Sequence, residues 1–274
     1  MSWTIVIPSH HRSDSIKYNT LKVLDYYNIP YKKIKIFVAP EEVPAYKKSI
    51  PHIEIIPSAL GCIENRAFIR AYYPEDTELV YMDDDIQKIS SVCDFTEHHA
   101  DCHIFKKENH KEDFYKKQQV LPNLSRFLTV AFFTIRDHGA HFGGIYPIGN
   151  GFFASHNFTT DLRYICGGMY FEINVHDFAL QGLQYSEDFE RSCKWWLRDG
   201  KVIRFSSVML HTPYYKGSGG LVETRTVELS KKAQETLQLM YPTLLKVIPP
   251  TKNNKYWNLS IIKQKKPKID VFSL

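Results

Sequence analysis

The sequence lacks any apolar run near the ~20 residues that span a bilayer, so no membrane-spanning helix is expected. Its start, Met-Ser-Trp-Thr-Ile-Val-Ile-Pro, has no basic stretch ahead of the apolar segment, which argues against a signal peptide. It has no C-x-x-C. Its five cysteines (Cys62, Cys93, Cys102, Cys166 and Cys193) are odd in number and scattered, which argues against a disulfide framework and points to a reducing, cytoplasmic compartment. Internal repeats and low-complexity tracts are missing too, as is any linker that would divide the chain. A large charge excess is also absent: 35 basic residues against 30 acidic ones leave +5, enough to permit a polyanionic partner without requiring one. What is there is a 43% apolar composition over 274 residues, which excludes disorder and suits one large α/β domain.

The first eighty residues alternate between strand and helix signals. Trp3 to Ile7 is a β-branched apolar run closed by Pro8. Ser13 or Ser15 can cap a helix with Ile16, Leu21, Leu24 and Tyr27 on its apolar face, stopped by Pro30. Strands follow at Ile34 to Val38, Ile53 to Ile56 and Leu79 to Met82. Helices at Val43 to Lys48 and Ile63 to Tyr72 separate them. This alternation predicts a largely parallel sheet covered by helices on both faces. Residues 93–118 are polar and read as an insertion or mobile loop. Beyond them, Pro122 to Arg136 and Ser186 to Arg198 read as helices, and Tyr170 to Val175 and Val202 to Phe205 as strands. Gly139 to Gly151 is a Gly-rich aromatic stretch.

The strand ending at Met82 delivers three carboxylates, Asp83, Asp84 and Asp85, at the sheet edge where open α/β proteins bind ligands. Residues i and i+2 of an extended segment share a side, so Asp83 and Asp85 can converge. Convergent carboxylates repel unless a cation lies between them, and hard oxygen ligands suit Mg²⁺ or Mn²⁺. Such an ion would neutralise a diphosphate leaving group. A solvated acidic turn is the alternative. A second acidic pair, Glu187 and Asp188, follows Ser186. It reads either as helix-start acids that complement the dipole or as a general base beside a cleft. Spacing does not say which of the two faces inward. His211, after the run Phe205 to Leu210, is a candidate third metal ligand.

Taken in order, "TIVIPSHHR", "GCIENRAFIRAYY", "LVYMDDDI", "GGMYFEI" and "EDFERSCKWWLRDGKVIRF" followed by "LHT" resemble the motifs of inverting GT-A-fold glycosyltransferases. The "IPSHHR" opening, "TLKVL", "ENR" and "DDDI" are most similar to the TET-associated glycosyltransferases. That group modifies hydroxymethylated pyrimidines in DNA, largely in phages. The resemblance implies a GT-A (Rossmann-like) fold spanning residues 1–274. Residues 1–90 would be the nucleotide-sugar-binding half, 91–120 an insertion, 121–222 the acceptor and catalytic half, and 223–274 a C-terminal extension. It implies a UDP-hexose donor and a DNA acceptor carrying 5-hydroxymethylpyrimidine, in the host cytoplasm if the gene belongs to a phage.

Carried onto this sequence, the resemblance places Pro8, Ser9 and Arg12 at the nucleotide and Arg66 on the diphosphate. Asp83, Asp85 and His211 would hold Mg²⁺ or Mn²⁺, and Asp84 would contact the ribose or sugar. Gly167 and Gly168 would let backbone approach the sugar. Asp188 would be the base, with Glu187 as its alternative, and Lys216 would belong to a lid. Lys106, Lys107, Lys111, Lys116 and Lys117 are candidate DNA-phosphate contacts. His141, Phe142, Tyr146 and Asn150 are candidate acceptor residues. Cys93, His98, His99, Cys102 and His103 can be read as zinc ligands or as an ordinary loop. Two other enzyme readings remain: a glycosyltransferase with a glycan, lipid or protein acceptor, and a nucleotidyltransferase. The missing glycine in "PSHHRSDS" argues against the second. A DNA-binding module without catalysis is the non-enzyme reading.

Overall fold

The computed structural model describes residues 3–92, 118–181, 185–213, 226–252 and 255–264. Its first half runs β1 (Thr4–Pro8), α1 (Thr20–Tyr26), β2 (Ile34–Val38), α2 (Val43–Ser49), β3 (Glu54–Pro57), α3 (Cys62–Tyr72) and β4 (Glu78–Met82). These four strands pair in parallel in the order β3-β2-β1-β4. Side chains alternate across a strand, and here both faces are covered. Ile5 and Ile7 enter one core with Ile34, Ile36, Val80 and Met82. Val6 enters the other with Phe37, Leu79 and Tyr81. Each such side chain contributes roughly 1.5–3 kcal/mol by leaving water.

The second half adds β5 (Lys88–Ser91), β6 (Gln119–Val120), α4 (Leu124–Asp137), β7 (Phe142–Tyr146), β8 (Phe158–Thr159) and β9 (Met169–Ile173). It continues with α5 (Glu187–Asp199), β10 (Ile203–His211), α6 (Val227–Met240), β11 (Leu245–Ile248) and β12 (Asn258–Ile261). Among the described residues the main sheet has ten strands in the order β3-β2-β1-β4-β9-β7-β10-β5-β6, with β8 beside β10. β9 is antiparallel to β4 and to β7, and β10 is parallel to β7. The sheet is therefore mixed, with a parallel half, as expected. Helices α1, α2 and α4 cover one face, where Leu21, Leu24, Tyr46, Phe127 and Phe132 are packed. Helices α3, α5 and α6 cover the other with Ile69, Cys193, Trp195 and Leu237.

Three local expectations are corrected, and the Gly-rich stretch acquires a structure. Neither Ser13 nor Ser15 caps a continuous helix. A 3-10 turn at Ser15–Tyr18 is broken from α1 at Asn19 (φ −114°, ψ −107°), and the Ser15 hydroxyl turns back to the Arg12 carbonyl. The Gly-rich stretch contains β7, a strand in the middle of the sheet. A Cβ on Gly143 would stand 2.8 Å from the Ile203 carbonyl oxygen, so glycine here reflects close strand packing. Val202 to Phe205 is the start of a nine-residue strand that runs through to His211, with a register shift between Phe205 and Met209. Ser186 does not cap α5. It is left-handed (φ 72°), and its Oγ accepts from Gln234 Nε2 of α6 at 2.7 Å. Helix α6 and the β11–β12 pair join the second core through Leu237, Tyr241, Leu245 and Leu259, so the C-terminal segment braces α5.

Candidate functional site

The topology gathers distant residues at one sheet edge. β1 and β4 are parallel neighbours, so the turn after Pro8 lies beside Asp83–Asp85. β9 runs the other way and pairs Met169 with Met82, which brings Gly167 and Gly168 to the same edge. The Asp83 amide donates to the Gly168 carbonyl at 2.9 Å. The acidic turn is held from below by Thr20, fully buried at the start of α1. Its hydroxyl donates to the Asp83 carbonyl at 2.6 Å and accepts from the Ile86 amide at 2.9 Å. Nothing in the sequence pattern marks Thr20.

The three acids have different surroundings. Asp84 is buried. It accepts from the Ser9 hydroxyl at 2.5 Å and from Arg12 Nη1 at 2.5 Å. With the Ser9 proton given to Asp84, Tyr46 donates to Ser9 at 2.6 Å and accepts from the Arg12 amide at 3.0 Å. Asp84 thus fastens the β1 turn to β4. Arg12 also reaches Asp85 Oδ2 at 3.0 Å. Asp83 keeps 40% of its side chain exposed and accepts from Arg66 Nη2 at 3.4 Å. Desolvation raises its pKa to about 7. Arg66 opposes the shift, while Asp85 and Asp84 add to it.

Two buried arginines flank Gly167. Arg66, on α3, bonds Glu187 at the start of α5 and also reaches Cys62 Sγ at 3.0 Å. Burial works against its charge, but Cys62, Tyr170 and Asp83 more than restore it. Arg191, one turn along α5, lies 3.2 Å from Glu187 Oε2 without hydrogen-bond geometry, and its guanidinium covers the Tyr170 ring at 4.0 Å. Arg191 was not among the residues expected from sequence; its i,i+4 spacing from Glu187 is the pattern that could have pointed to it. With both arginines on Glu187, that residue is a charge partner and not a free base. Asp188 points the other way. It accepts a short hydrogen bond from the Tyr164 hydroxyl and is half-buried. Ser192 Oγ ties the first turn of α5 to this segment by donating to the Asp188 carbonyl at 2.8 Å and accepting from the Ile165 amide at 3.2 Å.

Other expected residues are dispersed. His211 ends β10 at the same edge, but its Nε2 lies 2.7 Å from Ser90 Oγ and 3.3 Å from Gln118 Nε2. The ligand atoms of Asp83, Asp85 and His211 do not all fall within 4.8 Å of one another. Burial, then Lys88, lowers the His211 pKa, which favours the neutral imidazole. The proposed acceptor residues have structural duties. His141 binds Asp199 and stacks on Trp195, Phe142 is core, Tyr146 lies beside Arg204, and Asn150 caps a 3-10 turn. A Cβ on Gly168 would meet Leu210 Cδ2 at 2.6 Å, whereas at Gly167 the space admits one. Lys216, the lysines between 106 and 117, and the Cys/His stretch 93–103 lie outside the described residues.

Among the described residues no helix is long and apolar enough to cross a membrane. No protein-family model matches the sequence, and no curated protein matches it. Solved structures do. S. aureus TarS 1-349 in complex with UDP-GlcNAc superposes with a TM-score of 0.51 at 14% identity, covering 87% of this chain and 67% of that one. The chain spans 40% of a longer S. aureus TarS structure. The Pyrobaculum calidifontis mannosyltransferase PcManGT, in complex with GDP-Man and Mn²⁺, gives a TM-score of 0.46 at 10% identity, covering 76% and 56%. The chain has the mixed α/β architecture of GT-A glycosyltransferases.

Proposed function

We propose that this chain is a metal-dependent glycosyltransferase. It moves a hexose from a nucleotide sugar, UDP-hexose in the first instance, to the hydroxyl of a 5-hydroxymethylpyrimidine in DNA, with inversion at the anomeric carbon. The observation that carries the donor half is the meeting of Asp83 and Asp85 with the Arg66–Glu187 pair and Gly167–Gly168 at one sheet edge. The fold shared with the UDP-GlcNAc complex of TarS supports it. The DNA acceptor rests on the sequence resemblance and on the basic balance of the chain.

Asp83 and Asp85 fit a hard divalent ion. They offer oxygen ligands, and mutual repulsion among Asp83, Asp84 and Asp85 is what a cation relieves. Such an ion, Mg²⁺ or Mn²⁺, would supply charge neutralisation for the departing diphosphate. The Nε2 of His211 is engaged by Ser90 and Gln118, so its Nδ1 would be the atom offered to such an ion. The other steps belong to the chain. Arg66 presents its planar fork to anionic oxygens. Asp188 takes the proton of the attacking hydroxyl, and Tyr164 holds its carboxylate in place. Asp84, Ser9 and Arg12 set the floor of the nucleotide pocket.

The test incubates the full chain and Mn²⁺ with a panel of nucleotide sugars, with and without 5-hydroxymethylcytosine DNA, and weighs the nucleosides by mass spectrometry. A hexose-sized gain that disappears in Asp85→Ala is the expected result. Donor hydrolysis without a DNA product leaves a glycosyltransferase with a glycan, lipid or protein acceptor. Asp188→Asn is expected to lower kcat about 10²–10⁴-fold while donor binding by calorimetry stays within about twofold. An active Asp188→Asn enzyme would remove the base from this scheme.

A further inference from the structure

The turn after β1 holds a second group of ligating side chains that the transfer scheme does not use. His10 Nδ1 lies 2.8 Å from Glu42 Oε2, and His11 Nδ1 lies 3.4 Å from Glu42 Oε1. One ligand atom from each of His10, His11 and Glu42 falls within a common 4.8 Å, the one such His/Cys/Asp/Glu group among the described residues.

Consecutive side chains of an extended segment point to opposite sides. His10 and His11 instead lie side by side, with ring centroids 3.9 Å apart. The cause is the left-handed backbone of His11 (φ 54°), a conformation that costs of order 1–3 kcal/mol in a non-glycine residue and persists only when its surroundings enforce it. Glu42 is the enforcing residue, since its carboxylate also accepts from the His11 amide at 2.5 Å.

Glu42 is itself the unusual member. It is 7% exposed, and a buried carboxylate needs a cation or a full set of hydrogen bonds. Its ion-pair partners among the described residues are the two imidazoles, with no lysine or arginine. Both imidazoles reach outward, 41% and 66% exposed, so an ion has a path in. Two imidazoles and one carboxylate, with open positions for water, suit borderline divalent metals, whereas the all-oxygen set at Asp83 and Asp85 suits hard ones.

We propose that His10, His11 and Glu42 form a three-ligand site for a borderline divalent transition metal of the Zn²⁺ and Co²⁺ class, separate from the acidic end of β4. An ion there would tie the β1 turn, and with it Ser9 and Arg12, to the start of α2. The site stands whether or not the transfer reaction is the one proposed above.

The test is a titration of the full chain with Co²⁺, followed by its visible d–d bands and repeated with Zn²⁺ by calorimetry. His11→Asn is the informative variant, because asparagine tolerates the left-handed backbone while removing the imidazole. His10→Asn and Glu42→Gln complete the set, and thermal melts check that each folds. Beside any ion at Asp83 and Asp85, we expect a further metal equivalent whose affinity falls by at least ~10–100-fold in His11→Asn and His10→Asn, the loss seen when even a ligand's supporting partner is removed. Asp85→Ala should keep that equivalent. Metal binding unchanged in folded His10→Asn and His11→Asn overturns the proposal, as does Co²⁺ bound with thiolate charge-transfer bands alone, which would place it on cysteines elsewhere. Absence of any Co²⁺ or Zn²⁺ equivalent overturns it equally.

Discussion

Two arginines one turn apart on α3, Arg66 and Arg70, each meet a buried glutamate, and the two pairs are finished very differently. Arg70 grips Glu172 of β9 with a two-pronged contact at 2.5 and 2.9 Å, and its guanidinium lies 4.8 Å from the Phe178 ring centre. Glu172 has no orphaned oxygen. Around Arg66 the books do not close: Arg66 Nε, Glu187 Oε2 and all three nitrogens of Arg191 are buried without hydrogen-bond partners. Two cations and two carboxylates, Glu187 and Asp83, are crowded around Gly167, with more donors than the protein satisfies. A completed pair specifies a scaffold. An incomplete one, at a sheet edge and beside an exposed carboxylate, is where a ligand's oxygens have something to complete.

Breaking each pair from the arginine side tests that contrast. Arg70→Met leaves Glu172 buried and alone, and loss of one partner from a buried pair costs about 3–5 kcal/mol. In a chain of this size that lowers Tm by roughly 2–4 °C per kcal/mol, read by calorimetry, with donor affinity at low temperature little changed. Arg70→Met combined with Glu172→Leu should recover much of the loss, since an apolar replacement of both partners is often neutral. Arg66→Met should cost less stability, about 1–2 kcal/mol, because Glu187 keeps Arg191 at 3.2 Å. Its main effect falls on nucleotide-sugar affinity, lower by about 10–100-fold, the worth of a hydrogen bond to a charged group. If Arg66→Met melts as early as Arg70→Met and still binds donor normally, both pairs are scaffold and the distinction fails.

How far these roles were legible beforehand follows the physics of each signal. β1, β2 and β4 declare themselves because a strand buried on both faces must be apolar throughout. The acidic edge showed as three aspartates directly after such a strand, but that Asp84 is buried against Ser9 and Arg12 was not legible there. β7 was hidden because its glycines are strand-depleted residues, explained only by the approach of Ile203 and Ile135 to Gly143 and of Ile165 to Gly144. Glu187 and Asp188 could not be told apart by spacing, as both belong to one helical turn. The structure separates them through partners remote in sequence, Arg66 for one and Tyr164 for the other. Thr20, Gln234 and Glu42 were invisible for the same reason: each works through long-range hydrogen bonds or ion pairs, which leave no local pattern.

The smallest change sharpens the contrast within α5. Tyr164 donates to Asp188 from the segment ahead of β9, and its ring packs on Phe189 with centroids 4.4 Å apart. Tyr164→Phe keeps the ring and removes one hydrogen bond to the proposed base. A net loss of about 1 kcal/mol is typical of such a bond, so kcat should fall about fivefold with KM and Tm nearly unchanged. The split between kcat and KM carries the meaning. A bond that only holds the fold would lower Tm and leave kcat alone. A bond that lines the donor pocket would raise KM. A kcat effect without either places the Tyr164 hydroxyl behind the Asp188 carboxylate, on the acceptor side of the site, while Glu187 remains with the arginines on the donor side.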